Sequence, residues 1–129
     1  MADGSMLEQA RAAHRNAVEM LYEGVCTVYE KQGVTDQGTK ITRQQEMPIY
    51  ESIACRLSFS KVMPVEKKAE GYQKAQVVKL FLAPEINIRP GSKIVVTQNK
   101  VTEVYRMSSV AAIYGTHQEI VLDVWEGWT

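Results

Sequence analysis

The sequence predicts a mainly β domain: a small antiparallel β-barrel or sandwich of six or seven strands with one N-terminal α-helix. Three observations carry this. Apolar residues follow a helical period only as far as Leu21, and beyond Gly24 the period becomes two and stays there. Turn residues punctuate that second part at short intervals, at Gln32-Gly33, Pro84, Pro90-Gly91 and Gln98-Asn99-Lys100. The densest apolar stretch, Lys79 to Asn99, reads as strand, proline-bounded turn and strand, and forms the expected centre of the domain. One helix followed by a run of strands is the pattern of a small barrel or sandwich.

In chain order, the helix is expected over residues 6–22. Leu7, Ala10, Ala17 and Leu21 recur at helical spacing, Ala13, Val18 and Met20 widen the stripe, and no Gly or Pro interrupts it. Ser5 and Glu8 have the spacing of a capping box, and Gly24 lies where a C-terminal cap would end the helix. Residues 1–5, followed by a second methionine at Met6, also read as an appended remnant, in which case the capping box is an accident. The alanine-rich face is shallow, so the helix depends on packing against a sheet or a neighbouring chain rather than on its own propensity.

The β-barrel is expected over residues 25–125. A first strand, Val25 to about Gln32, leads through a loop at 34–39 into a return strand at about 40–46 that is polar on both faces, which suggests an exposed arm or edge. Pro48 confines pairing near it to an edge. A third strand, 52–60, places Ile53, Cys55, Leu57 and Phe59 on one face. Leu80 and Leu82 share a face opposite Lys79 and Phe81, and Ile94-Val95-Val96 reads as a strand covered on both sides. A tight hairpin at 98–100 leads into Val101–Met107, and a last strand runs from Gln118 to Trp125. The expected inward set is Leu57, Phe59, Leu80, Leu82, Ile94, Val96, Ile120 and Leu122. Between Lys61 and Gln76 the chain is polar, charged and broken by Pro64 and Gly71, a length of loop that is usually functional or mobile.

Composition limits function. The 129 residues suit a single domain, 1–129, and 15 basic residues balance 15 acidic ones, so the basic surplus of a protein that grips nucleic acid by its phosphates is missing. Cys26 and Cys55 form no CxxC pair and have no histidine near them in sequence, since His14 and His117 lie far off. Two buried free thiols in a reducing compartment fit better than a zinc site. Nothing resembles a signal peptide and no apolar run approaches the ~20 residues of a membrane helix, so the expected place of synthesis is the cytoplasm.

Catalytic chemistry is sparse. There is no Gly-rich phosphate loop, no GxSxG and no HExxH. The only imaginable thiol and imidazole combination, Cys55 with His117, puts the thiol on the apolar face of a strand, where packing explains it. His117, next to Glu119 and near Tyr114, reads as a turn histidine. Trp125 and Trp128 suit either core or interface. The expectation is a non-enzyme with no cofactor and no metal.

Seven fragments in order carry a resemblance: Gly24-Val-Cys-Thr-Val-Tyr-Glu30, Asp36-Gln-Gly38, Pro48-Ile-Tyr50, Ile53-Ala-Cys-Arg-Leu-Ser58, Lys79-Leu-Phe-Leu-Ala-Pro84, Ile88-Arg-Pro-Gly-Ser-Lys-Ile94 and His117-Gln-Glu-Ile-Val-Leu122. Over about residues 7 to 125 the chain resembles the small head-closure, or head-tail joining, proteins of tailed phages and of prophages in Gram-positive bacteria. The resemblance implies a β-barrel that assembles as a homo-oligomeric ring on the portal and its adaptor and meets tail-side proteins. It implies passage of DNA through the ring without tight binding, no membrane, and a place in the virion neck after assembly in the host cytoplasm. The loop 61–76 departs from the family pattern. Lys61, Pro64, Lys67, Lys68, Gly71, Tyr72 and Lys74 are its candidate channel or assembly residues, and Trp125 and Trp128 the candidate interface.

Two other classes compete. An OB-like nucleic-acid-binding module needs aromatic platforms in a basic groove, for which Tyr29, Tyr72 and Tyr105 are the candidates. A small-molecule-binding β-barrel needs a sizeable apolar cavity.

Overall fold

The computed structural model describes residues 2–62 and 75–128. Helix α1 (Ala2–Glu19) precedes seven strands: β1 (Gly24–Thr35), β2 (Thr42–Val62), β3 (Ala75–Leu82), β4 (Lys93–Gln98), β5 (Val101–Met107), β6 (Ala112–Ile113) and β7 (Gln118–Val124). All pairings are antiparallel, in the order β3-β2-β1-β4-β5-β7-β6, and a further β3–β7 pairing closes the sheet on itself. The fold is therefore mainly β with one N-terminal helix, and the closed circuit gives it the form of a barrel.

The interior is filled by alternate side chains of the closed strands. Leu80 and Leu82, Ile94 and Val96, Ile120 and Leu122, and Leu57 all point inward, together with Cys26, Val28, Cys55, Tyr105 and Met107. Leu82 lies between Cys55 on β2 and Gln118 on β7, and all three are buried. Phe59 departs from the expected inward set, being 53% exposed. It keeps the parity of Cys55 and Leu57, but β2 there runs on with β3 alone on the path to Val62, past the last β1 partner at Cys55. Alternation fixes which face a side chain takes, and not whether another layer reaches that far. Val95, expected to be covered, is half-buried.

Several boundaries also moved. The return strand and the third strand are one strand, β2, bent at two bulges where its register against β1 shifts. Ser52 adopts a φ of 52° there, and its amide donates to Thr27 Oγ1 at 3.3 Å. A bulge inserts a residue without ending pairing, so a polar break at Glu51-Ser52 reads in sequence as a gap. β1 continues to Thr35, and the turn occupies 36–41 instead of 34–39. Asp36 builds it by accepting the Gly38 amide at 2.9 Å, which holds its carboxyl below the ordinary carboxylate range. The loop expected over 61–76 is shorter at both ends, because Lys61 pairs with Gln76 and Val62 with Ala75. Pro64, Lys67, Lys68, Gly71, Tyr72 and Lys74 lie outside the described residues.

Gly24 is not a helix cap. It opens β1 opposite Cys55, where an added Cβ would sit 3.1 Å from Gln98 Oε1 and 3.2 Å from Cys55 O. Ser5 lies inside α1 rather than at its N-cap. Beyond Gly24 the barrel lacks a β1 residue to pair with Leu57, and a side chain replaces it. Gln98 Oε1 accepts the Leu57 amide at 2.8 Å, and its Nε2 donates to Leu57 O at 3.3 Å. Asn99 and Lys100, with φ of 53° and 64°, make the two-residue hairpin that sets Gln98 in place.

Cys26 and Cys55 are free and buried against each other. Hydrogen bonding to Cys55, reinforced by burial, pushes the Cys26 thiol far above its usual value, so it stays protonated and unreactive. A thiol-specific reagent is expected to leave both cysteines untouched in the folded chain and to label both after unfolding. A thiol that reacts readily in the native protein contradicts the inward register.

Candidate functional site

Past the barrel, β1 and β2 continue as a two-stranded arm. β4 pairs with β1 only over Val25–Tyr29, and β3 pairs with β2 only from Cys55 onward, so the arm from Glu30 to Met47 has both outer edges unpaired. Lys31–Thr35 and Thr42–Glu46 are exposed on both faces, as their polarity predicts. Thr35 and Thr42 are joined by a 2.9 Å hydrogen bond between their hydroxyls, and Pro48 lies where β2 has a single neighbour. A free two-stranded ribbon is marginal in water, so something must hold its base.

The base is held by an aromatic and ionic cluster. Lys93 on β4 donates to Glu46 on the arm at 2.8 Å and lies over the rings of Tyr29, at 5.4 Å, and Trp125, at 5.5 Å. Trp125 meets Trp128 edge to face at 4.8 Å, and Lys31 of the arm lies 5.7 Å from the Trp128 ring centre. The Trp125 amide donates to Val104 O at 3.2 Å, which carries the β7–β5 pairing one step past Val124. Trp125 and Trp128, which the sequence left between core and interface, are half-buried and strap the segment after β7 to the root of the arm. Cation–π contacts of this kind contribute roughly 0.5–1 kcal/mol each at exposed sites.

Trp128 separates two shallow grooves. One, about 450 Å³, is lined by Arg106, Asp123, Val124, Glu126 and Gly127, and the other, about 280 Å³, by Glu30, Lys31 and the turn Arg89–Ser92. Their charged residues are evenly matched, with Arg106, Lys31 and Arg89 against Asp123, Glu126 and Glu30. Such walls suit the polar rim of a protein interface better than a phosphate site.

At the other end, α1 meets the barrel, among the described residues, through an ion pair and a small apolar crevice. Arg15 forms a fork with Glu85, its Nη2 donating to Oε2 at 2.7 Å, and its Nε donates to Glu19 at 2.8 Å. Val18, Leu21 and Tyr22 form an apolar crevice of about 180 Å³ with Arg56, Phe81 and His117. Burial raises the Tyr22 pKa, and its buried hydroxyl has no partner among the described residues. Arg15 lowers the Glu85 pKa from its reference of 4.5. A lowered carboxylate pKa means the pair stabilises docking above about pH 4.5 and loses that contribution as pH falls through the lower folded value. The docked resonances of Val18 and Tyr22 are therefore expected to hold at neutral pH and shift in acid, and Glu85→Gln to show the acid-like spectrum at neutral pH. A spectrum unchanged by both contradicts the pairing.

His117 is a turn histidine, as expected. Its carbonyl accepts the Tyr114 amide at 2.8 Å, its ring stacks on Tyr114 at 5.0 Å, and Nε2 lies 3.5 Å from Glu119 Oε1. It is outside the barrel against Phe81, while Cys55 faces inward, so the two make no dyad. Of the aromatic platforms considered, Tyr105 is buried in the core, Tyr29 is covered by Lys93, and Tyr72 lies outside the described residues. The barrel interior is packed with side chains. Among the described residues no cluster of three or more His, Cys, Asp or Glu could hold a metal ion, and no helix is long and apolar enough to cross a membrane.

Sequence reasoning missed the Arg15–Glu85 pair and two glutamines, the half-buried Gln98 and the buried Gln118. Nothing local marks them, since their partners lie 32 to 70 residues away.

No family model matches the chain, and no curated protein matches it. One solved structure is similar in fold, the phage-like element PBSX protein xkdH from Bacillus subtilis. It shares 14% identity at a TM-score of 0.45, over 76% of this chain and 90% of that one.

Proposed function

We propose that this protein is a non-enzymatic structural subunit of a phage or prophage particle, acting at the neck as a ring that closes the portal and joins head to tail. The observation that supports it best is the arm, Glu30–Met47, whose two unpaired edges project from a filled barrel and whose root is braced by Lys93, Trp125 and Trp128. A ring subunit needs surfaces that engage copies and neighbours, and this chain puts its exposed features into an arm and a helix around an interior packed with side chains. The sequence resemblance to head-closure proteins points the same way. Zero formal net charge suits a conduit that DNA must slide through without being gripped.

The subunit alone is a monomer or weakly associated at micromolar concentration, and rings form on the portal-side partner. Shortening the arm to a turn between Glu30 and Met47 is expected to leave the barrel folded while particles lose DNA or fail to join tails. Particles that keep DNA, tails and titre with the shortened arm overturn this reading.

A further inference from the structure

β2 outruns β1. Their register pairs Cys26 with Ile53, Val25 with Ala54 and Gly24 with Cys55; there β1 stops, while β2 runs on to Val62 beside β3. The edge this opens on β2 is met at Leu57 by a side chain, Gln98, which accepts from the amide and donates to the carbonyl as a paired strand residue would. Alternate residues of a strand direct their backbone groups to the same side, so Phe59 offers its amide and carbonyl along that same edge. Its ring keeps the inward parity of Leu57 and is 53% exposed.

Continued backward in the same register, the chain before Gly24 sets Tyr22 opposite Leu57 and Met20, itself 84% exposed, opposite Phe59. Residues 20–23 lie past the end of α1, and three backbone bonds hold their turns: the amides of Met20, Leu21 and Tyr22 donate to the carbonyls of Asn16, Val18 and Glu19, each at 3.0 Å. We propose that this segment has a second conformation, in which it extends β1 along β2, displaces Gln98 from Leu57 and lays Met20 over Phe59. Gln98 is then the placeholder for a strand that can arrive. The three turn bonds and the two made by Gln98 give way to two ladder bonds each at Leu57 and Phe59, so the hydrogen bonding comes close to balance. Two exposed apolar side chains gain cover, and the Tyr22 hydroxyl leaves a buried place where it has no partner among the described residues. Against this stand the crevice contacts of Val18, Leu21 and Tyr22 and the fork between Arg15 and Glu85. Docking of α1 and extension of β1 therefore exclude each other, and whatever draws α1 off the barrel favours the longer strand.

Disulfide trapping in the isolated full chain tests this, and the result does not depend on a neck role. Oxidised glutathione joins two thiols that come within reach and is itself reduced. Met20→Cys with Phe59→Cys is expected to close an intramolecular disulfide at least ~10 times faster than Leu21→Cys with Phe59→Cys, because Leu21 takes the opposite face once the segment is a strand. All three positions are exposed, and the native thiols are buried and stay out of the reaction. Backbone chemical shifts of residues 20–23 are expected to move from turn to strand values in the closed form. Gln98→Ala, which vacates the edge, is expected to speed closure of the first pair several-fold. Equal rates for the two pairs, as fraying of the helix end alone would give, overturn the proposal. So do a first pair that never closes, a closed form whose residues 20–23 keep turn shifts, and closure no faster with Gln98→Ala.

Discussion

Leu82→Ala is expected to destabilise the fold by about 2–5 kcal/mol, read as a lowered denaturant midpoint at unchanged slope. Leu82 is fully buried at the point where three strands meet, with Cys55 on one side and Gln118 on the other. Removing its branched end leaves a cavity that strands closed in a circuit cannot easily collapse, unlike an open sheet whose edge can shift inward. Phe59→Ala is the internal control. With its ring 53% exposed beyond the last β1 partner, it should cost far less, although both positions read as core from alternation alone. Equal losses at the two positions would contradict the barrel register described here.

Gln118→Leu is the second large effect, and its cause is polar. Gln118 is 1% exposed, and its Nε2 donates to Ala83 O at 2.7 Å and also to Ile86 O. That one amide fixes the chain leaving β3, which in turn seats Ile88 in the core and brings Glu85 to Arg15 of the helix. A leucine of similar volume fills the space but takes this donor from Ile86 O and leaves Ala83 O with the Ile86 amide, 3.3 Å away, at about 1–3 kcal/mol for a carbonyl left without its partner. The expected result is a loss of about 1–3 kcal/mol on that basis, together with faster amide exchange over residues 83–88 and a loosened α1. A variant as stable as the parent, with that segment still protected, contradicts the anchoring role.

These two residues also show how far the sequence could be read. Leu82 was legible because period two over Lys79–Leu82 assigns its face, and the same pattern placed Leu80, Ile94, Val96, Ile120 and Leu122 correctly. Phe59 was misplaced because alternation carries no information about where the barrel ends. Gln118 and Gln98 were invisible because a glutamine bonded into the fold differs from a free one only through partners far along the chain. The arm was legible from its polarity on both faces, yet its length was not, since the bulges at Ile49 to Ser52 look like a strand boundary. The tryptophans stand out in the sequence by residue type alone, but their cation partners Lys31 and Lys93 come from β1 and β4 and could be found only after the strands were paired. The helix was read as needing support, and the structure adds that the barrel supports only one side of it.

Cryo-microscopy of particles from an induced host that encodes the protein is the decisive test of whether it works as an assembled ring subunit at a particle neck. Ring density between portal and tail into which the barrel fits is expected, with the arm Glu30–Met47 engaged by a neighbouring subunit or partner. Particles with complete necks that lack the protein, or density for it only in the capsid shell or the tail tube, would rule out a neck role.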